Sequence, residues 1–221
     1  MGGVIPLADV SRRPSRFPAV TTTIILVNAF VFVLELMGGD EFVRQWSVIP
    51  ADIVADRHWV TIVTAMFMHG GWMHIAGNMV FLWAFGPEIE DAMGPLGYMA
   101  FYLLSGLVAF VAQIAAMPGS TLPILGASGS IAGVMGAFIV TYPRDQIRTL
   151  VLLGLFTRIT FIPALLLIGL WFLVQLFNQV GAVADVQTGG VAYTAHVSGF
   201  IFGAVTARIF ERFGRTTESG A

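Results

Sequence analysis

The chain has 221 residues, of which 57% are hydrophobic and only 11% are charged. Because soluble domains carry about 25% charged residues, this composition excludes an ordinary soluble enzyme and a disordered chain. The net charge of −2 gives no electrostatic reason to expect a nucleic-acid partner. There is no cysteine, so disulfides and thiolate metal sites are excluded as well. A polytopic membrane protein is the class that remains.

Six apolar stretches are candidates to cross a bilayer, which takes about 20 residues of helix. In chain order they are Ala19–Met37, Val60–Phe85, Leu96–Met117, Ala127–Tyr142, Phe161–Gln179 and Val191–Phe210. The fourth is short and rich in Gly and Ala. The pattern predicts an all-α bundle of six transmembrane helices over residues 19–210. An N-terminal tail (1–18) and a C-terminal tail (211–221) flank it.

The arginines predict the orientation of this bundle. With six spans, only Arg44 and Arg57 fall on one side of the membrane. The others fall on the opposite side: Arg12, Arg13, Arg16, Arg144, Arg148, Arg158, Arg208, Arg212 and Arg215. The positive-inside rule then places both termini in the cytoplasm. The inner segment 144–160 is partly apolar but too short to span, so it is predicted to lie in the interface or to form a hairpin.

Four polar side chains lie within about two helical turns of the outer ends of their spans, where polar groups are costly. They are Ser128, His196, His74 and Asn78. Ser128 lies between glycines at a helix start, where free N–H groups and the helix dipole favour negative charge. His196 could reach Ser128 because glycines on both helices permit close approach: Gly129 and Gly133 on span four, and Gly199 and Gly203 on span six.

His74 and Asn78 are four residues apart and share one face of span two. Both could donate hydrogen bonds to a negative oxygen near Ser128. Structural hydrogen bonds between helices remain an alternative for this pair, and simple close packing remains one for the small residues around Ser128. A metal site is disfavoured, since His69 and His74 are five residues apart and no carboxylate shares their face.

These motifs together resemble the rhomboid family of intramembrane serine proteases. The resemblance rests on four segments, His69–Asn78, Gly86–Gly94, Gly126–Gly129 and Ala195–Gly203. They occur in order within a match that covers about Arg16–Phe210. Each segment alone is weakly specific, but their order and their positions in the predicted spans are specific together.

The resemblance implies cleavage of single-span membrane proteins near the outer membrane face. Ser128 would be the nucleophile and His196 its general base and later general acid. His74, Asn78 and the Ser128 N–H would form the oxyanion hole. Glu90 would connect the inner end of span two to its neighbours. The implied partners are transmembrane substrates and membrane lipid, without nucleic acid, metal or other cofactor.

One departure concerns the orientation of His196. Many members of the family carry an aromatic residue that packs on the catalytic histidine, and Ala132 occupies that position here. Tyr193 or Trp72 would have to orient the imidazole instead. Span five would flank the substrate entrance, with three candidate gate residues: Trp171, Phe172 and Leu176.

Two other functions compete with proteolysis. A catalytically inactive relative would bind membrane clients, and a transporter would use the polar residues as a path. The transporter is disfavoured because the polar residues cluster at one depth. Since the N-terminal segment lacks a transit-peptide pattern, the expected location is a bacterial plasma membrane.

Overall fold

The computed structural model describes residues 2–153, 156–184 and 192–218. In these ranges the longer helices are α1 (Ala19–Trp46), α4 (Trp72–Met93), α5 (Pro95–Ala116), α6 (Ser128–Thr141), α7 (Ala164–Ala184) and α8 (Tyr193–Glu218). Short helices α2 (Pro50–Val54) and α3 (Thr61–Thr64) precede a 3₁₀ turn at Ala65–Phe67. The strands are β1 (Gly2–Asp9), β2 (Gln146–Leu153) and β3 (Phe156–Pro163).

Two of the described helices, α1 and α5, are long and apolar enough to cross a membrane by length and composition. α6 and residues Ala164–Phe177 of α7 are shorter apolar helices. Each of the six predicted spans overlaps one long helix of the structure, although α1, α4 and α8 continue past the predicted ends. The number of membrane crossings and their orientation stay predictions.

The second predicted span is not one continuous helix. The apolar pattern predicts helix from Val60, but α4 begins at Trp72. The intervening chain forms α3, the 3₁₀ turn and a non-helical passage that ends at Gly71. Gly71 has a φ of 155°, which residues with L side chains rarely adopt. The glycine therefore ends the non-helical passage and allows α4 to start at the next residue.

A three-stranded antiparallel sheet corrects the prediction of an all-α fold. Its strand order is β1-β2-β3, and β2 and β3 form a hairpin within the segment predicted to be interfacial or hairpin. The residues of β2 and β3 are largely β-branched or leucine, which favours paired strands in a segment too short to span. β1 joins from the predicted N-terminal tail, with Val4 opposite Val151.

Charged side chains also connect the N-terminal segment to the residues that follow α6. The Arg12 guanidinium donates to both carboxylate oxygens of Asp145 and lies 3.8 Å from the centre of the Tyr142 ring. Burial raises the pKa of the neighbouring Asp9 to about 6. Burial also acts on Asp145, but the hydrogen bonds from Arg12 hold the pKa of that carboxyl below its ordinary value.

α6 is the central helix of the bundle, and every residue from 129 to 138 is buried. It packs most extensively against α8 and also contacts α5 and α4. The α6–α8 contact is made backbone to backbone. A Cβ on Gly199 or Gly203 would overlap the carbonyl oxygen of Gly129 or Gly133, respectively. Small residues at these positions allow the two helices to approach closely.

Glu90 connects α4 to the start of α1. Its carboxylate accepts hydrogen bonds from the backbone N–H groups of Val20 and Thr21 and from the Thr21 hydroxyl, each at 2.8 Å. Helix N-termini carry N–H groups without intrahelical partners and a partial positive charge. The buried carboxylate therefore caps the first turn of a neighbouring helix.

Candidate active site

Ser128 and His196 are in direct hydrogen-bond contact. The Ser128 hydroxyl lies 2.7 Å from Nε2 of His196, although the two residues are 68 positions apart in the sequence. Ser128 is the first residue of α6 and His196 lies in the first turn of α8. Because the glycine contact brings these two helices together, their N-terminal ends place the side chains within reach. His196 is only 8% exposed.

The other imidazole nitrogen of His196 has a partner that the sequence analysis missed. Nδ1 lies 2.7 Å from Oε1 of Gln175 on α7. With a proton on Nδ1, the ring donates to the amide oxygen, and Nε2 is free to accept from the Ser128 hydroxyl. The signal available in the sequence was an amide side chain flanked by apolar residues within predicted span five, since a polar group in a span requires an explanation.

Aromatic rings complete the surroundings of His196. Trp171 of α7 lies 5.9 Å from the imidazole, measured between ring centroids, and Tyr193 lies at 6.5 Å. Trp72 packs edge-on against Phe32 at 5.0 Å. Of the two residues expected to take over orientation of His196, Tyr193 is therefore adjacent to it, and the structure adds Trp171 as a further neighbour.

His74 faces the same space as the Ser128 hydroxyl. The Gly70 N–H donates to Nδ1 of His74 at 3.3 Å, which leaves Nε2 to carry the proton. A Cβ built on Gly126 would lie 3.2 Å from Nε2 of His74 and 3.5 Å from Oγ of Ser128. A hydrogen-bond donor and a hydroxyl therefore border one small space, which the glycine keeps open.

Asn78 supplies a second donor on the same helix. It is 9% exposed, and its buried Nδ2 has no hydrogen-bond partner among the described residues. A buried NH₂ group without a partner costs about 1–3 kcal/mol. Asn78 follows His74 by one helical turn, so both donors lie on one face of α4. The amide is free to bind an acceptor that enters the site.

His69, the third histidine of this region, takes a different position. Its ring packs edge-on against His74 at 5.2 Å between centroids, and its backbone N–H donates to the Glu35 carboxylate at 2.9 Å. In the part of the chain that the structure describes, no group of three His, Asp or Glu side chains is arranged to hold a metal ion.

This arrangement has the components of acyl-transfer chemistry. A hydroxyl contacts a neutral imidazole that can take its proton. Two side-chain donors and the first N–H groups of α6 are suited to a developing oxyanion. The fold and site therefore define a class: an apolar helical protein with a serine–histidine pair between its helices.

The family is shown by comparison with known proteins. The family profile described as Rhomboid domain matches residues 56–213, which is more than half of the chain. The chain belongs to the rhomboid family, whose members are membrane-embedded. The resemblance inferred from the sequence motifs is thereby confirmed.

Named relatives come from several compartments. The chain is 28% identical over 195 residues to the mitochondrial presenilin-associated rhomboid-like protein of Bos taurus, covering 82% of this chain and 46% of that protein. It is 24% identical over 217 residues to the chloroplastic rhomboid-like protein 11 of Arabidopsis thaliana, covering 93% and 70%. It is 30% identical over 111 residues to the rhomboid protease GluP of Bacillus subtilis, covering 49% and 21%. The chain thus spans about half of the bovine relative and less of GluP.

Proposed function

We propose that this protein is an intramembrane serine endopeptidase that hydrolyses peptide bonds of single-span membrane proteins. The observation that carries the proposal is the 2.7 Å contact between the Ser128 hydroxyl and Nε2 of His196. Support comes from membership of a family that includes the protease GluP. The buried Asn78 amide, which has no hydrogen-bond partner among the described residues, supports it further, as does the Nε2–H of His74, since both are donors on one face of α4.

The proposed reaction begins with transfer of the Ser128 hydroxyl proton to Nε2 of His196. Oγ attacks the carbonyl carbon of the scissile bond, and the carbonyl oxygen becomes an oxyanion. That oxyanion accepts hydrogen bonds from His74, Asn78 and the Ser128 N–H, each worth about 10²–10³ in rate.

The second half of the reaction returns every group to its starting state. His196 gives its proton to the leaving amine nitrogen, and the C–N bond breaks to leave an acyl ester on Ser128. Water then attacks the ester, with His196 again accepting a proton and passing it to Oγ. The chemistry uses only these side chains and water, without metal or other cofactor.

The proposed substrate is a transmembrane helix that opens locally. A helix in lipid has its carbonyl groups engaged in internal hydrogen bonds, so it must unwind before Ser128 can attack. We place the site toward the outer face of a six-span bundle with both termini in the cytoplasm, as the distribution of arginines favours. We also place the protein in a bacterial plasma membrane, while the named relatives include mitochondrial, chloroplastic and bacterial proteins.

The test is cleavage of a single-span substrate by purified protein in detergent. The substrate should carry a small residue and a helix breaker near its outer end. We expect wild type to cut, and Ser128→Ala and His196→Ala to lose cleavage by at least about 10³-fold. Ser120→Ala, in the loop before α6, should cut like wild type.

Reaction with a fluorophosphonate probe separates inactivity from a poor choice of substrate. Wild type should be labelled at Ser128, and the Ser128→Ala variant should not react. A folded wild-type protein that neither cuts nor labels would contradict the proposal. That outcome would favour an inactive member that binds membrane clients.

A further inference from the structure

α7 presents one narrow face to the rest of the bundle. Its buried and half-buried side chains include Ile168, Trp171, Phe172 and Gln175, which lie at helical spacing along one stripe. Most of the residues between them are exposed. Gln175 is the one amide or charged side chain between Ala164 and Phe177. The amide of Gln175 is therefore turned toward α8, while apolar residues cover the outer surface of this part of α7.

An amide among apolar side chains is costly unless it is hydrogen-bonded. The partner of Gln175 is Nδ1 of His196, at 2.7 Å. On the other side of the ring, Nε2 contacts the Ser128 hydroxyl at the same distance. The three side chains thus form a continuous chain of hydrogen bonds across α7, α8 and α6.

The chemistry of this chain depends on which nitrogen of His196 carries the proton. A base for Ser128 needs a free lone pair on Nε2 and a proton on Nδ1. The amide oxygen of Gln175 is an acceptor for Nδ1–H, and it still accepts when the ring becomes an imidazolium. In serine proteases with a full triad, a carboxylate performs this function, and the wrong tautomer costs about 10⁴ in rate.

We propose that Gln175 is a positioning residue that holds His196 in the reactive tautomer and orientation. The inference rests on the proposed serine-protease function and adds a third member to its Ser128–His196 pair. It also answers what orients the imidazole in the presence of Ala132, since the acceptor comes from α7 and not from α6. Trp171 and Tyr193 pack on the imidazole ring, while Gln175 determines that the proton is on Nδ1.

The test compares two variants of Gln175 by their rate of fluorophosphonate labelling at Ser128 between pH 5 and 9. Gln175→Leu replaces the amide by a branched apolar side chain that is one atom shorter, and so removes the acceptor. We expect its labelling rate to fall by about 10- to 100-fold, as for loss of a hydrogen bond to a charged group. Gln175→Glu keeps an acceptor and adds negative charge, so it should stay within about tenfold of wild type.

The pH profile distinguishes positioning from mere structural support. Gln175→Glu should move the acid limb of the profile to higher pH, because a carboxylate beside Nδ1 stabilises the imidazolium. Among the residues that the structure describes, the titratable groups near His196 are His74 on α4 and Tyr193 on α8, and both are the same in all variants. A shift therefore reports the contact between residues 175 and 196.

Gln113 provides a matched control. Its amide oxygen accepts from the N–H of Ala195, the residue before His196, at 3.2 Å, and so supports α8 without touching the imidazole. Gln113→Leu should lower the thermal midpoint while leaving the acid limb where it is in wild type. Leu173→Ala, on the exposed face of α7, should change neither quantity.

Two results would overturn the positioning role. One is a Gln175→Leu protein that labels at the wild-type rate with an unmoved acid limb, in a preparation where Ser128→Ala does not label. The other is a Gln175→Glu protein whose pH profile of labelling has its acid limb at the same pH as wild type. This result would overturn the positioning role even if the leucine variant fails to fold. Wild-type protein that never labels at Ser128 would instead contradict the proposed function itself.

Discussion

At the residue scale, Gly126 keeps open the space between the Ser128 hydroxyl and the His74 ring. Its φ of 136° is one that L side chains rarely adopt, so any substitution strains the backbone just before α6. A side chain there would also enter the space between His74 and Ser128. The glycine is needed for backbone shape and for room at the same time.

Gly126→Ala is expected to reduce fluorophosphonate labelling by about 10- to 100-fold, since a shift of about 1 Å in a reacting group has an effect of this order. The new Cβ would lie 3.1 Å from the His74 ring and would push it away. Labelling rates at fixed pH measure the effect. Gly77→Ala on α4 is the control, because its Cβ would meet nothing within 4 Å. Equal rates for the two variants would show that the space beside Gly126 is not used.

At the element scale, the stability of the sheet depends on whether Asp9, at the end of β1, is protonated. Burial raises the pKa of Asp9 to about 6, so the folded protein binds a proton there more tightly than the unfolded chain. The contribution of this group therefore favours the folded state below about pH 4 and is lost as pH rises toward 6. Asp145 stays ionised in this window because Arg12 lowers its pKa.

Asp9→Asn should remove this pH dependence by keeping the side chain neutral. We expect amides of β1 in wild type to exchange hydrogen faster at pH 7 than at pH 5, after correction for intrinsic rates. In the variant, the difference in corrected protection between the two pH values should be clearly smaller than in wild type. Asp40→Asn, at an exposed position, should behave like wild type. An unchanged pH dependence in Asp9→Asn would assign it to other groups.

At the scale of the whole molecule, the contact between α6 and α8 decides whether a site exists. Ser128 and His196 are carried by different helices, and the helices meet where Gly199 and Gly203 face backbone carbonyls. A side chain on α8 at either position would force the helices apart. The same displacement would separate the hydroxyl from the imidazole, so stability and reactivity are linked.

Gly203→Ala is expected to destabilise the fold by about 1–3 kcal/mol, as for overpacking of a tight interior. Labelling of Ser128 should fall about 100-fold in the molecules that remain folded. Thermal unfolding in detergent and probe kinetics measure the two effects. Gly169→Ala on α7, whose Cβ meets nothing within 4 Å, should alter neither. A tolerated Gly203→Ala with wild-type kinetics would mean that the helices can relax without opening the site.

Local patterns were sufficient to locate the long helices and to select the candidate residues. The apolar stretches predicted where the long helices lie, because burial in lipid or in a helical core needs continuous apolar sequence. The boundary at Trp72 was missed, since two adjacent glycines interrupt a pattern that otherwise looks helical. Ser128, His196, His74 and Asn78 stood out because polar groups in apolar spans need a reason.

The sequence by itself determined the family, the apolar helices and the residue types available for chemistry, since these depend on composition and short-range spacing. Only the tertiary structure decided which strands pair and which side chains contact each other. Pairing of β1 with β2 joins segments far apart in the chain, and no local pattern specifies such a partner. The contact of Gln175 with His196 likewise depends on how α7 is rotated against α8, which side-chain packing sets and one-dimensional periodicity does not.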